Sequence, residues 1–255
     1  MSTQRLRTFL TRFIGLKSKQ ARDERKLADD VMAQLPKDGL LAIEEKHSGV
    51  IAKGEHHRKW LDVKFHMQRA ARDAMKLQLH GSQPLDILDI GCGAGYFLAV
   101  ARHLGHKITG LDKSNNEVFN DYIALMAIPR VVHSITPLLP LPDFSRPFNL
   151  ITGFEVRFNW KKERERWTYE EWQYFLADCR SRLALGGQMR LELNPGKDTS
   201  YKFLREETAE RLRRFSWITV FADKKILTVN ARSPVADAVA PDLVCRADND
   251  HVCKA

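Results

Sequence analysis

Leu85-Asp86-Ile87-Leu88-Asp89-Ile90-Gly91-Cys92-Gly93-Ala94-Gly95-Tyr96-Phe97 joins a short, mainly apolar run to a cluster of three glycines and then to a new hydrophobic period. Residues 85–90 have the pattern of a strand buried in a sheet. Glycines at Gly91, Gly93 and Gly95 permit a tight turn and let a ligand approach the backbone more closely than a Cβ would allow. Beyond them Phe97, Val100, Ala101 and Leu104 share one face at helical spacing, and Gly105 stands where a helix terminates. The unit is strand, glycine turn, helix.

The alternation continues downstream. A second strand is predicted at 107–111, ending at Asp112, and Ser114-Asn115-Asn116-Glu117 reads as a capping box opening a helix with Phe119, Tyr122, Ile123 and Met126 on its apolar face. Strands follow at 130–135 and, after a proline-rich loop, at 148–154. Thr168-Tyr169-Glu170-Glu171 is a second capping box, and its helix buries Trp172, Phe175, Leu176, Cys179 and Leu183 before an expected stop at Gly186-Gly187. A strand at 188–193 and a charged helix at 201–215 come next. Two last apolar runs, 217–221 and 225–229, are joined by Ala222-Asp223-Lys224, too short for a crossover helix, so they form an antiparallel hairpin. The expected fold class is α/β: a doubly wound, seven-stranded, mostly parallel sheet with a C-terminal antiparallel hairpin and an N-terminal helical extension. Right-handed crossovers gather the strand C-termini at one edge, where the ligand belongs.

Upstream, residues 57–80 carry a helical pattern through Met67, Ala70, Ala71 and Ala74, with Gly81 as its stop. The expected organisation is a helical extension over 1–80, lying as a lid on the acceptor side, a ligand-binding domain over 81–230 and a flexible tail over 231–255. Net charge is +9, and residues 1–80 hold 17 Lys and Arg against 10 Asp and Glu, so the basic character belongs to the extension. Residues 1–22 contain six basic residues and no acidic one, with Leu6, Phe9, Leu10, Phe13 and Ile14 on one helical face. Three readings stand open for this segment: peripheral contact with an anionic membrane, a mitochondrial transit segment in a eukaryote, or packing on its own domain. The expected location is cytoplasmic, with the first two readings as the exceptions.

With 44% hydrophobic and 29% charged residues, the composition excludes disordered and fibrous classes. Charged residues interrupt every hydrophobic run short of the roughly 20 residues a membrane span requires. The cysteines, Cys92, Cys179, Cys245 and Cys253, show neither disulfide-scaffold density nor metal-finger spacing. Cys245, His251 and Cys253 have no known ligand spacing, so no metal is expected.

Asp112 lies 21 residues after Gly91, at the end of the second strand, where a carboxylate can accept both hydroxyls of a ribose. A nucleoside-containing ligand follows. A dinucleotide fingerprint would place a third glycine where Tyr96 stands, and a phosphate-binding loop would need Gly-Lys-Ser/Thr where Gly95-Tyr96-Phe97 stands. Both are disfavoured.

The segment Ile87 to Phe97, followed by Gly110-Leu111-Asp112, resembles the first two motifs of class I S-adenosylmethionine-dependent methyltransferases. The resemblance extends through Phe148-Asn149-Leu150-Ile151 and Leu183-Ala184-Leu185-Gly186-Gly187-Gln188, covering about residues 85–230. It implies S-adenosylmethionine as cofactor, with the methionine portion on the backbone of Gly91, Cys92, Gly93, Ala94 and Gly95, Asp89 orienting its amino group, and Asp112 on the ribose diol. Tyr96 and Lys113, next to these, complete the implied cofactor-binding set. Many members place a carboxylate after the third strand to reach the adenine, whereas Ser134-Ile135-Thr136 has none.

Methyl transfer is an in-line displacement that needs alignment, exclusion of water and, for a hydroxyl acceptor, removal of a proton. The loop after the fourth strand, 153–160, is where the family places acceptor-facing residues, and Glu155 is the candidate general base there, set against a simple ion pair with Arg157 or another base. His133 is the alternative base, set against a packed histidine. Phe154, Phe158, Trp160 and Trp167 can wall an acceptor or pack the core. The loop lacks the Asn/Asp-Pro-Pro-Tyr/Phe of amino-directed nucleic-acid enzymes and the Pro-Cys of cytosine C5 enzymes, and neither Cys92 nor Cys179 suits covalent catalysis. The expected acceptor is a small molecule, most plausibly a hydroxyl of a sugar or other metabolite, lipid-linked if the basic helix touches a membrane. RNA or protein acceptors and a non-catalytic partner subunit are the alternatives, and nothing in the sequence speaks to oligomeric state.

Overall fold

β1 (Asp86–Ile90) sits in the middle of the sheet, between β2 (Lys107–Asp112) and β4 (Phe148–Val156), and is parallel to both. Its alternating side chains feed two cores: Ile87 faces one layer of helices, Leu88 and Ile90 the other. This computed structural model describes residues 19–49, 58–158, 166–194, 204–221 and 225–231. β3 (Arg130–Val132), β5 (Leu183–Leu193), β6 (Ile218–Val220) and β7 (Ile226–Asn230) complete seven strands in the order β3-β2-β1-β4-β5-β7-β6. β7 runs antiparallel to β5 and β6, the hairpin that the short 222–224 link required. From β1 the chain builds outward through β2 and β3, then restarts on the other side at β4, so the crevice between the β1 and β4 C-termini is the topological switch point.

The helices are α1 (residues 19–32), α2 (Lys37–Lys46), α3 (Val63–Lys76), α4 (Tyr96–His103), α5 (Glu117–Leu125), α6 (Tyr169–Ser181) and α7 (Glu206–Leu212), with a 3-10 turn at Arg58–Leu61. None of the described helices is long and apolar enough to cross a membrane. Ala28 and Val31 of α1, Ile43 of α2 and Met67, Ala70, Ala71 and Ala74 of α3 share one core with α4 and α5. The described part of the N-terminal extension is thus built into the domain. Lys46 and the buried His47 both reach Asp121 of α5, at 2.8 and 2.7 Å. The basic segment 1–18 and the tail 232–255 lie outside the described residues.

Several boundaries differ from the sequence reading for identifiable reasons. The helix expected over 57–80 is two pieces, because the Asp62 side chain accepts from Phe65 N at 2.9 Å and starts α3 afresh. It ends at Lys76, well before Gly81. The loop beyond is held by His106, whose Nδ1 accepts from Leu85 N while its Nε2 bonds Leu79 O. At α5 the cap is Asn116, accepting from Phe119 N, and the Ser114 box does not form. The Thr168–Glu171 box does form. Gly186-Gly187 does not end α6: that helix stops at Ser181, and the glycines make an irregularity inside β5, where the register jumps from Phe148↔Leu183 to Leu150↔Gln188. A Cβ on Gly187 would come 2.9 Å from two carbonyl oxygens. β3 ends three residues early, and of the helix expected at 201–215 the structure describes 206–212.

Candidate active site

The glycine turn begins where β1 ends. Gly91, Gly93 and Gly95 take φ of +71°, +55° and +82°, left-handed conformations that β-carbon-bearing residues rarely adopt. Gly95 is also pinned by packing, since a Cβ there would stand 2.9 Å from Ile123 Cδ1 and 3.0 Å from Ile128 Cγ1. Gly95→Ala should therefore lower stability by about 2–3 kcal/mol from left-handed strain plus overpacking, read as a shift in urea midpoint. Gly93 differs: a Cβ there would rest in ordinary contact with the Phe119 ring at 3.7 Å, so its need for glycine comes from its backbone conformation and not from crowding. Gly95 caps α4 without a side chain, so the first N–H groups of the helix also turn toward this space.

Asp112 ends β2 with its carboxylate between two backbone donors, Gly93 N to Oδ2 at 2.7 Å and Lys113 N to Oδ1 at 2.7 Å. Each oxygen keeps a lone pair for a vicinal diol. Lys113 contributes its N–H here, while the residue itself is exposed. Asp89 lies buried on β1, receiving the Thr152 hydroxyl on Oδ1 at 2.7 Å. Burial, reinforced by the charges of Asp112 and Asp73 against the Thr152 bond, pushes its pKa up to about 7. Cys92 is buried with its thiol toward Gly110, whose Cβ would come within 2.8 Å of Sγ. Burial pushes the thiol far up and keeps it protonated, so Cys92 and Ala94 can serve a ligand through their backbone.

The Tyr96 side chain goes into packing of its own. Its ring is buried, stacked on His66 at 5.4 Å, and its hydroxyl donates to Trp60 O at 2.9 Å. The side chain thus anchors the 58–61 turn. Trp60 in turn stacks on His66 at 4.7 Å and sets its edge against Phe119, the ring nearest Gly93. These contacts bring Trp60 to the side of the glycine turn, across 36 residues of sequence.

Glu155 stands at the end of β4 as the extra residue of a bulge: Phe154 pairs with Glu192 and Val156 with Leu193. Its φ is +52°, a strained conformation for a glutamate. The carboxylate meets the Arg69 guanidinium two-to-two, Nη2–Oε1 2.8 Å and Nη1–Oε2 3.0 Å, so the ion-pair partner is Arg69 of α3. The next residue, Val156, touches the turn, with Cγ1 3.0 Å from where a Cβ on Gly91 would stand. His133 is not brought to this place. It follows β3, its N–H donating to Asp112 O, and β3 lies three strand spacings, about 14 Å, from β4.

The aromatic residues considered for an acceptor wall are core. Phe158, Trp167, Trp172 and Phe175 pack together on the opposite face of the sheet, with both tryptophans almost wholly buried, and Phe154 sets its ring against Phe97 at 4.8 Å. Trp160 lies outside the described residues. An open groove of about 580 Å³ lies at the far end of α4, between Val31, Leu35, His103 and Met126. Among the described residues no three His, Cys, Asp or Glu side chains gather as a metal site.

The arrangement fits S-adenosylmethionine: three glycines with left-handed φ form the turn after β1, and the Asp112 carboxylate at the end of β2 lies against it through Gly93 N. No curated protein matches the chain. Similar solved structures include an amino pentose methyltransferase from Micromonospora echinaspora, bound to S-adenosylmethionine, at 20% identity over 50% of this chain and 50% of that chain, TM-score 0.39. DesVI of Streptomyces venezuelae matches at 12% identity over 66% and 92%, TM-score 0.46. A 16S rRNA N2 methyltransferase of T. thermophilus matches at 18% over 65% and 42%, TM-score 0.42. In the first and third of these, the chain covers half or less of the solved protein. Residues 63–165, less than half of the chain, match the profile of a family described as a methyltransferase domain. That stretch folds into α3, the glycine turn and β1 to β4, so the match to a methyltransferase domain falls on the strand–glycine turn–helix unit itself, and S-adenosylmethionine is the cofactor this domain takes.

Proposed function

We propose that the enzyme methylates a small-molecule acceptor, specifically a hydroxyl of a sugar or comparable metabolite. The observation that carries this is the Glu155 bulge, which puts a carboxylate at the C-terminal end of β4 on a backbone of positive φ, one residue before Val156, which touches the glycine turn. Bound S-adenosylmethionine supplies a methyl group activated by the positive sulfur. The chain supplies position and a base: Glu155 takes the proton that a hydroxyl loses on methylation. Its neighbours favour an uncharged acceptor over a polyanion, since Arg69 is matched by Glu155 and Lys225 by Glu192 at 2.6 Å. The Arg58–Leu61 turn and α3 form the start of a lid on this side, and residues 1–22 offer peripheral contact if the acceptor is lipid-linked.

The test incubates the purified protein with methyl-labelled S-adenosylmethionine and a cell extract, then separates lipid, small-molecule, RNA and protein fractions. Label in the small-molecule or lipid fraction is expected, and Glu155→Gln should cut its rate about a hundredfold, the worth of a positioned base. Label confined to RNA or protein would overturn the proposal.

A further inference from the structure

We propose that Arg69 is the positioning residue of the acceptor site, aiming the Glu155 carboxylate and holding it ionised; this rests on the reading of Glu155 as the proton acceptor. Glu155 is displaced from the strand register and held at positive φ, so its direction comes from what grips it. Arg69 grips it with a planar fork that meets both carboxylate oxygens. A lysine could not fix that plane.

Arg69 is itself braced. It lies on α3 one turn from His66, which stacks on Tyr96, and one turn from Asp73, whose Oδ2 is 4.0 Å from its Nε. Behind Arg69 stand Asp73 on α3 and, through its charge, Glu192 on β5, which Lys225 partners. A guanidinium set two-to-two on a carboxylate favours its ionised form. The bond to Glu155 raises the Arg69 pKa further, so its charge persists at every accessible pH. A residue of the N-terminal helices thereby sets the protonation and direction of a group 86 positions away on β4.

The experiment follows Glu155 directly by carbon-detected NMR in protein labelled with ¹³C at glutamate carboxyls, the resonance assigned by its loss in Glu155→Gln. In Arg69→Gln the Glu155 titration should move up by about one to two pH units, with Arg69→Lys between it and the wild type. The acid limb of the pH–rate profile, measured as label transferred into the fraction that the wild-type enzyme labels, should move with it. An unchanged titration in Arg69→Gln overturns the proposal, as does a titration that moves while the acid limb stays. Should Arg69→Gln fail to fold, Arg69→Lys decides: kcat should fall at least tenfold with the Kd for S-adenosylmethionine unchanged, and an unchanged kcat overturns the proposal. Wild-type turnover by Glu155→Gln would instead sink the base reading and leave the Arg69 titration result standing on its own.

Discussion

Asp112→Ala should weaken S-adenosylmethionine binding about a thousandfold. Two hydrogen bonds from a ribose diol to an ionised carboxylate contribute roughly 1.5–3 kcal/mol each, and 1.4 kcal/mol is a factor of ten in affinity. The same carboxylate also receives Gly93 N, so its removal leaves the glycine turn without the bond that ties it to β2. Asp112→Asn should fall between, because its amide oxygen can accept only one of the two backbone donors and its NH2 opposes the other. Isothermal titration with S-adenosylmethionine reads the effect. A loss of less than tenfold in the alanine variant would mean that the ribose is held elsewhere.

Asp89→Asn should make the cofactor-free protein more stable than the wild type at pH 8 by about 4 kcal/mol, and leave it nearly unchanged at pH 4. The native pKa of Asp89 is pushed up to about 7, against roughly 3.9 in an unfolded chain. The native state therefore holds this proton more tightly than the unfolded state does. Its favourable contribution is complete below about pH 4, declines by about 1.4 kcal/mol per pH unit up to pH 7, and is gone above that. Asparagine keeps an oxygen for the Thr152 hydroxyl and carries no charge to bury. Urea unfolding of both proteins at pH 4.5 and 8 measures the difference, and parallel stability curves would refute the assignment. The resemblance assigns this carboxylate to the amino group of the bound methionine.

Much of this fold was legible because its signals are local. The run 85–97 contains its own strand, turn and helix, and the left-handed φ of its three glycines is the reason for their presence. The Thr168 box and the hairpin link at 222–224 are equally short-range. Reading went astray where two neighbours compete for one role. Ser114 and Asn116 both suit a cap, and the chain direction after β2 chose Asn116. Gly186-Gly187 has the signature of a helix stop, yet α6 had already ended at Ser181 and the glycines accommodate close carbonyls within β5.

The chemistry of the site divides along the same line. Sequence alone determined the sheet, the cofactor class and the place of Asp112 beside the glycine turn, because a glycine turn and an acidic residue one strand later are separated by a fixed length of βαβ chain that can fold in essentially one way. Tertiary structure alone decided which side chains face the reacting space. Periodicity says that Tyr96, Phe158 and Trp167 are apolar and near the right loops, but only packing turns Tyr96 toward Trp60 and sends Phe158 and Trp167 to the opposite core. Arg69, which meets the Glu155 carboxylate, lies 86 residues away on α3, and Glu155 is the extra residue of a bulge in β4. Those choices depend on register and helix docking, which are set by the burial of many side chains at once and have no signature in any single stretch of sequence.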